Sequence, residues 1–362
     1  MSERERVSAT GAGRSTLLDV ARATGVSVAT ASRALSGAKG VSAQTERLVR
    51  EAARTLGYQP RSAADERSNR TLGVIVARVA SSFFGTLIEA IEEVATLHGY
   101  DIILTSSNYR LDKQEECLRV MAEKHVAGVI VTPIQLDDPY MKKLIDGGMR
   151  VVQVARYMEN VACDAVLTDN VRCSCRAVDF LLQQGYRRIG VISGLQNHSI
   201  ERDRLEGYRQ AYAQYGVPVN ERLIRVGAPE RAWAYQLASE LIESRDRPDA
   251  LFTTSLSFAY GALQSIRDHG LRIPDDIGAI TFDEFEYAGL LDPPMTTVEQ
   301  PVHEMGRAAA KLLIRRIESA DREIDPVTVI LESRLIVRSS TRPQSAERLP
   351  VGEGASGISG ER

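Results

Sequence analysis

Between residues 27 and 36 the chain sets small and hydroxylated side chains around one arginine: Ser27, Val28, Ala29, Thr30, Ser32, Arg33 and Ser36. On a helix, Val28, Ala29, Ser32 and Arg33 stand at i, i+1, i+4 and i+5 and share one face. Side chains this small let a helix approach base edges closely, and an arginine beside them carries a long planar donor suited to guanine. The hydroxyls of Ser27, Thr30 and Ser36 suit phosphate oxygens, which position a helix without reading sequence. The same pattern fits an ordinary three-helix bundle with an arginine on its surface, so by itself it leaves both readings open.

Other chemistry is poorly supported. GAGRST (11–16) is a loose likeness of a phosphate-binding loop, but Ser8 stands at its first glycine position and Arg14 at its lysine, and no strand precedes it. None of the five histidines (98, 125, 198, 269, 303) falls in a metal-ligand or nucleophile motif, and His198, in a loop that could face a cleft, reads rather as loop surface. Cys117, Cys163, Cys173 and Cys175 show neither zinc spacing nor a disulfide framework, which leaves them as small, reduced, buried side chains. No cofactor, metal or catalytic residue is expected.

The elements that must position the arginine face follow from local signals. Thr16 and Asp19 have the spacing of a capping box, and Leu17, Val20 and Ala21 recur at helical period. Gly25 supplies a turn, and Ser27 caps a second helix with Ala31, Ala34 and Leu35 inward. Ser42 caps a third, with Leu48, Val49, Ala52 and Leu56 inward and Gly57 ending it. Three short helices with about three residues between the first two make a helix-turn-helix. From residue 72 the pattern changes to short apolar runs alternating with amphipathic stretches: 72–77, 101–105, 127–132 and 150–154, then again at 188–193, 223–226, 250–254 and 278–282. That is the sign of βαβ units around buried parallel sheets, in two similar lobes with a cleft between them.

Charge divides the chain in the same place. Residues 16–70 hold nine Lys/Arg against five Asp/Glu, a net +4, residues 1–15 add +1, and the remainder carries −8 of the overall −3. A small basic module on an acidic body implies that the module alone meets a polyanion. With 43% hydrophobic and 26% charged residues, 362 residues suffice for two or three compact units. No apolar run is long enough to cross a membrane, and the mixed-charge N-terminus is no secretory signal, so a cytoplasmic protein is expected.

TLLDVARATGVSVATASRALSG, followed by VSAQTERLVREAARTLGYQP, closely resembles the DNA-binding headpiece of the LacI/GalR (lactose and galactose repressor) family, without gaps over about 45 residues. SSFFGTLIEAIEEVA, TDN (168–170), LLQQGYRRIGVISG, ERDRLEGYRQAY and IPDDIGAITFDEFEYAGLLDPPMTTVEQP extend the resemblance to about residue 341, and to periplasmic sugar-binding proteins. The resemblance implies a small all-α helix-turn-helix headpiece (16–60), a hinge (61–70) and an α/β two-lobed periplasmic-binding-protein-like body with parallel sheets (71–342). The chain would cross between lobes three times, with the first lobe at about 71–168 and 300–325 and the second at about 169–299 and 326–342. An N-terminal extension (1–15) and a tail (343–362) are expected to be disordered.

Carried over by position, Val28, Ala29 and Arg33 would read the major groove, supported by Thr16, Ser27, Thr30, Ser32 and Ser36. In the resembled family the hinge enters the minor groove and wedges a leucine between base pairs. Here Arg61 and Ala64 fall in that segment, Arg67 stands at the wedge position and Asp65–Glu66 precede it. Effector contacts would come from Arg156, Arg204, Ser255 and Asp283, with Phe83 and Phe84 as the apolar wall. Two departures remove hydroxyl-binding groups: Ala155 replaces an aspartate, and Ser255–Leu256 replace Asn-Asp. The implied function is a transcriptional regulator of repressor type, not an enzyme. It would act as a homodimer on a pseudo-palindromic double-stranded operator, under control of a small-molecule effector that is a sugar or sugar derivative. The alternative is a cytoplasmic ligand-binding protein or α/β enzyme with no regulatory role.

Overall fold

A computed structural model describes residues 17–36, 41–56, 70–319 and 325–342. They fall into two units that divide at residue 69.

The first unit is three helices, α1 (Leu17–Thr24), α2 (Val28–Ser36) and α3 (Ala43–Thr55). Gly25 turns the chain between α1 and α2 at φ +67°, a conformation in which a Cβ would be strained. Ser27 Oγ accepts the Thr30 N–H at 3.1 Å and Ser42 Oγ accepts the Thr45 N–H at 3.1 Å, so both hydroxyls cap as expected. The core is Val20, Ala21, Ala31, Ala34, Val49 and Ala53. Here the inward face of α3 differs from the expectation. Val49 and Ala53 form the buried i, i+4 stripe, while Leu48 is 51% exposed and Leu56 36%. Leu48 lies about 100° around the helix axis from Val49, and the alanine-lined seam takes only one narrow stripe. Thr16, Gly57, Arg61, Ala64 and Arg67 lie outside the described residues, as do the extension and the tail.

The second unit holds two six-stranded sheets. In the first, β1 (Thr71–Val76), β2 (Asp101–Ser106), β3 (Gly128–Val131), β4 (Val151–Val154), β5 (Asp164–Thr168) and β11 (Thr328–Leu331) are all parallel, in the order β11-β5-β4-β3-β1-β2. In the second, β6 (Ile189–Ser193), β7 (Ile224–Val226), β8 (Ala250–Thr253), β9 (Gly278–Phe282), β10 (Thr296–Glu299) and β12 (Arg334–Ile336) run β12-β10-β9-β8-β6-β7, with only β12 antiparallel. Alternation sorts each strand between two faces. Leu72, Val74 and Val76 pack against α4 (Ser82–Leu97) and α11 (Val302–Glu318), while Ile75 faces α5 (Leu111–Glu123) and α6 (Pro139–Asp146). In the second sheet Val191, Phe252 and Phe282 meet α7 (Asn170–Gln183) and α8 (Ser199–Gln214), and Ile192 and Leu251 meet α9 (Arg231–Glu243) and α10 (Leu256–Asp268).

The chain passes between the sheets after Thr168, after Glu299 and after Leu331. The last passage corrects the expected boundary near 325. Residues 328–331 pair with 165–168 of β5, and Val329 and Leu331 pack on the first lobe's core. The return helix α11 is fastened by a two-pronged ion pair, Arg316 Nε and Nη2 to the Asp164 carboxylate at 2.7 and 2.6 Å, with Asp164 also accepting the Val327 N–H.

Candidate functional site

On α2 of the first unit, Val28 is 42% exposed although apolar, and Arg33 is exposed near the C-terminal end. Positions 29, 32 and 36 lie on the same helix. Thr30 Oγ1 is 2.8 Å from Ser27 Oγ, so the capping hydroxyl and its neighbour form one polar pair at the helix N-terminus, where backbone N–H groups favour an anion. The arrangement offers a small N-terminal end, a hydroxyl pair and a long donor on one helix.

In the second unit a cleft of about 480 Å³ opens between the lobes where strands of both sheets end. It is lined by all six residues singled out in the sequence: Phe83 and Phe84 at the start of α4, Arg156 after β4, Arg204 on α8, Ser255 after β8 and Asp283 after β9. The Phe83 and Phe84 rings meet edge-on with centroids 5.1 Å apart, and Phe84 is also part of the first lobe's core. The volume is in the usual range for a small-molecule site.

Each polar group is held differently. Asp283 has φ +76°, a backbone conformation rarely kept without a role. Its carboxylate accepts the Gln300 amide at 2.6 Å, and Gln300 in turn accepts the Thr168 hydroxyl at 2.9 Å. Thr168 and Gln300 sit at two of the three passages between lobes, so Asp283 is tied to those passages. Arg204 donates from Nε to Asn170 Oδ1 at 2.8 Å and from Nη1 to the Thr254 carbonyl, and its guanidinium lies 3.4 Å from the Phe282 ring centroid. The Ser255 hydroxyl is buried with no partner among the described residues. Arg156 is 6% exposed, and burial pushes its guanidinium below the usual arginine range.

Several lining residues had not been identified from sequence. Tyr109, at φ +59° after β2, lies against two guanidinium groups, Arg78 at 5.2 Å and Arg156 at 5.3 Å. Ser106-Ser107-Asn108 before it mark a turn, but not which side chain the turn carries into the cleft. Glu201 lies one helical turn before Arg204, a spacing that could have revealed it. It is 4% exposed and accepts from Ser193 Oγ, the Gly194 N–H and Thr254 Oγ1. His198 is 7% exposed and lines the cleft, which corrects its reading as loop surface. Burial, then the charge of Arg156, pushes its imidazole down to about 4. The thiols Cys163 and Cys173 are pushed up by burial, to about 11 and about 12, and have no nucleophilic character at neutral pH. Among the described residues no group of His, Cys, Asp or Glu could hold a metal ion, and no helix is long and apolar enough to cross a membrane.

Away from the three passages the lobes are also joined by a clasp. Tyr157 of the first lobe donates its hydroxyl to Asp203 at 3.0 Å and accepts from Arg202 at 2.8 Å, while Arg202 pairs with Glu159 at 2.8 Å. The Tyr157 N–H reaches Ser199 Oγ, and the Leu136 N–H reaches the Asn197 carbonyl.

The family model for bacterial regulatory proteins of the lacI family matches residues 16–61, and that of the periplasmic binding protein-like domain matches 178–341. The HTH-type transcriptional repressor PurR of Photobacterium profundum is 30% identical over 335 residues, covering 90% of this chain and 98% of that protein. The ribose operon repressor of Halalkalibacterium halodurans is 31% identical over 331 residues, covering 90% and 97%. Among solved structures, a complex of the transcriptional regulator CelR with cellobiose superposes with a TM-score of 0.68 at 30% identity, covering 90% of this chain and all of that one. A helix-turn-helix followed by two sheets threaded three times, matched along nearly the whole length of these relatives, places the chain in the LacI family of bacterial transcriptional regulators.

Proposed function

We propose that this regulator binds a pseudo-palindromic operator as a homodimer and that a small hydroxyl-bearing molecule in the interlobe cleft sets its operator affinity. The observation that carries the reading is that one cleft draws polar groups from both lobes and from a crossover between them: Arg156, Arg204, Ser255, Asp283 and Gln300. A ligand held there has different contacts when the lobes rotate, and only such a difference can shift a conformational equilibrium. The complex of CelR with cellobiose supports a sugar or sugar derivative as the ligand class. Val28, Ala29 and Arg33 are the base-reading residues in this proposal, and Thr16, Ser27, Thr30, Ser32 and Ser36 hold phosphates. Arg61, Ala64 and Arg67 belong to the minor-groove segment. Arg67 is a poor apolar wedge, so operator bending is expected to be modest and an A·T-rich centre favoured. Dimer contacts are assigned to the first-lobe helices α4 and α5, although Gln114 itself is interior, donating to Asp138 and accepting the Ile134 N–H. A DNA-bound role places the protein in the cytoplasm.

The test is to select operator DNA from a random pool and measure affinity with and without candidate sugars, for the natural protein and for Asp283→Ala and Arg204→Ala. Both variants should bind operator normally and lose the sugar's influence. Coupling that survives in both would remove these residues from the effector site.

A further inference from the structure

Arg156 is the one cleft cation whose burial has no compensation. Its Nη1 atom is buried without a partner, and among the described residues its side chain makes no hydrogen bond or ion pair. Its contact is with the face of Tyr109, at 5.3 Å. A guanidinium buried in this way is strongly unfavourable, because the water it loses is not replaced by acceptors.

The nearby carboxylates do not supply those acceptors. Glu201 takes three neutral donors, all on Oε2, and Asp283 is fixed by Gln300 on one oxygen and faces the Leu256 N–H on the other. Neither comes within ion-pairing distance of Arg156. Ala155, the residue before it, offers only a methyl. The other lining arginines are also without a carboxylate partner: Arg204 bonds an amide and a carbonyl, Arg231 bonds Gln264, and Arg78 lies on Tyr109. A neutral sugar would leave this array of donors facing only hydroxyls. An oxyanion accepts two parallel bonds from one guanidinium and neutralises its charge. The remaining groups still call for hydroxyls, since Asp283 and Ser255, whose buried hydroxyl has no partner among the described residues, line the same cleft.

We propose that the ligand of this cleft is an anionic polyol, a sugar acid or a sugar phosphate, whose carboxylate or phosphate seats on Arg156 with Arg204 and Arg78 close by. The proposal rests on the reading of the cleft as an effector site and specifies its chemistry.

The experiment uses the full chain and follows its thermal midpoint and ligand affinity with D-gluconate, D-galacturonate, a hexose phosphate and inorganic phosphate, against D-ribose and cellobiose as neutral controls. At least one anion should raise the midpoint more than either neutral sugar, with an effect that weakens as salt is raised. The carboxylate and phosphate arms tell the two sources apart. Arg156→Met should raise the midpoint of the ligand-free protein, because it removes an uncompensated charge, and weaken the anion on the order of a hundredfold. Arg156→Lys, which keeps the charge and loses the fork, should fall between. A ligand-free Arg156→Met protein less stable than the natural one would mean a structural role and overturn the proposal. So would a panel in which no anion outperforms the neutral sugars. Failure of the effector reading looks different: an anion that binds the cleft tightly and leaves operator affinity unchanged.

Discussion

His198 shows how the cleft sets the chemistry of a single side chain. Its imidazole is nine-tenths buried beside Arg156 and is pushed from 6.5 to about 4, so the folded protein holds it neutral. The unfolded chain takes up the proton first as pH falls through 6.5, and the folded chain follows only near 4. Stability is therefore intact above 6.5 and declines across that window, by about 3 kcal/mol at most from this group. Denaturant titrations of the natural protein and His198→Asn should diverge between pH 6.5 and 4, with the variant losing less stability. Parallel curves would mean that the imidazole is not held neutral. On α2 the corresponding residue is Arg33. Arg33→Ala should cost about 1–3 kcal/mol at the selected operator and relax preference at one base pair. Equal weakening on every sequence would make Arg33 a phosphate contact.

Helix contacts decide where the cleft residues stand. At the crossing of α7 and α8, a Cβ on Gly207 would lie 2.2 Å from the Val171 carbonyl and 2.7 Å from Ser174 Cβ, so only glycine lets the backbones approach this closely. Arg204 is one turn earlier on α8 and reaches across the same seam to Asn170. Gly207→Ala should force the helices apart, lower stability by about 1–3 kcal/mol, and reduce ligand affinity by displacing Arg204. Gly85 on α4 is the counterexample, since nothing lies within 4 Å of its added Cβ. Gly85→Ala should be stabilising by about 0.5–1 kcal/mol through helix propensity alone. Calorimetry and ligand titration on both variants would check the contrast. Equal effects from the two would mean that packing at the α7–α8 seam does not govern the site.

Over the whole body, the two lobes are joined by three strands of chain on one side and by the Tyr157–Arg202–Asp203–Glu159 clasp elsewhere. Burial raises the Asp203 carboxyl above the usual carboxylate range, and the tyrosine hydroxyl donates to it. Tyr157→Phe keeps the ring and removes both hydroxyl bonds, a loss of about 1 kcal/mol from the arrangement in which both lobes line the cleft. Ligand affinity should fall about fivefold, and operator affinity without ligand should shift by no more than about the same factor, because one lobe equilibrium sets both. Isothermal titration would measure the first and fluorescence anisotropy the second. Unaltered ligand affinity would mean that the clasp does not bias lobe closure.

The helix-turn-helix was legible in the chain because its signals are local: the Ser27 and Ser42 caps, the glycine turn and the alanine stripe each act within a few residues. Eight strands were legible as apolar runs for the same reason, although β2 and β7 stand at the sheet edges and are only partly buried. Cleft residues carried over by position, from Phe83 to Asp283, do line one site, because motif order preserves which strand end each follows. The sequence did not determine β11, whose four residues are a strand only because β5 lies beside them. Nor did it determine the inward face of α3, which depends on how close two other helices come. It was silent on Tyr109 between two guanidinium groups, and on Arg156 left without an acceptor. Those outcomes depend on distances between segments far apart in the chain. A side chain's type and neighbours in sequence say what it can bond, but which partners remain free to bond it is settled only when the segments pack.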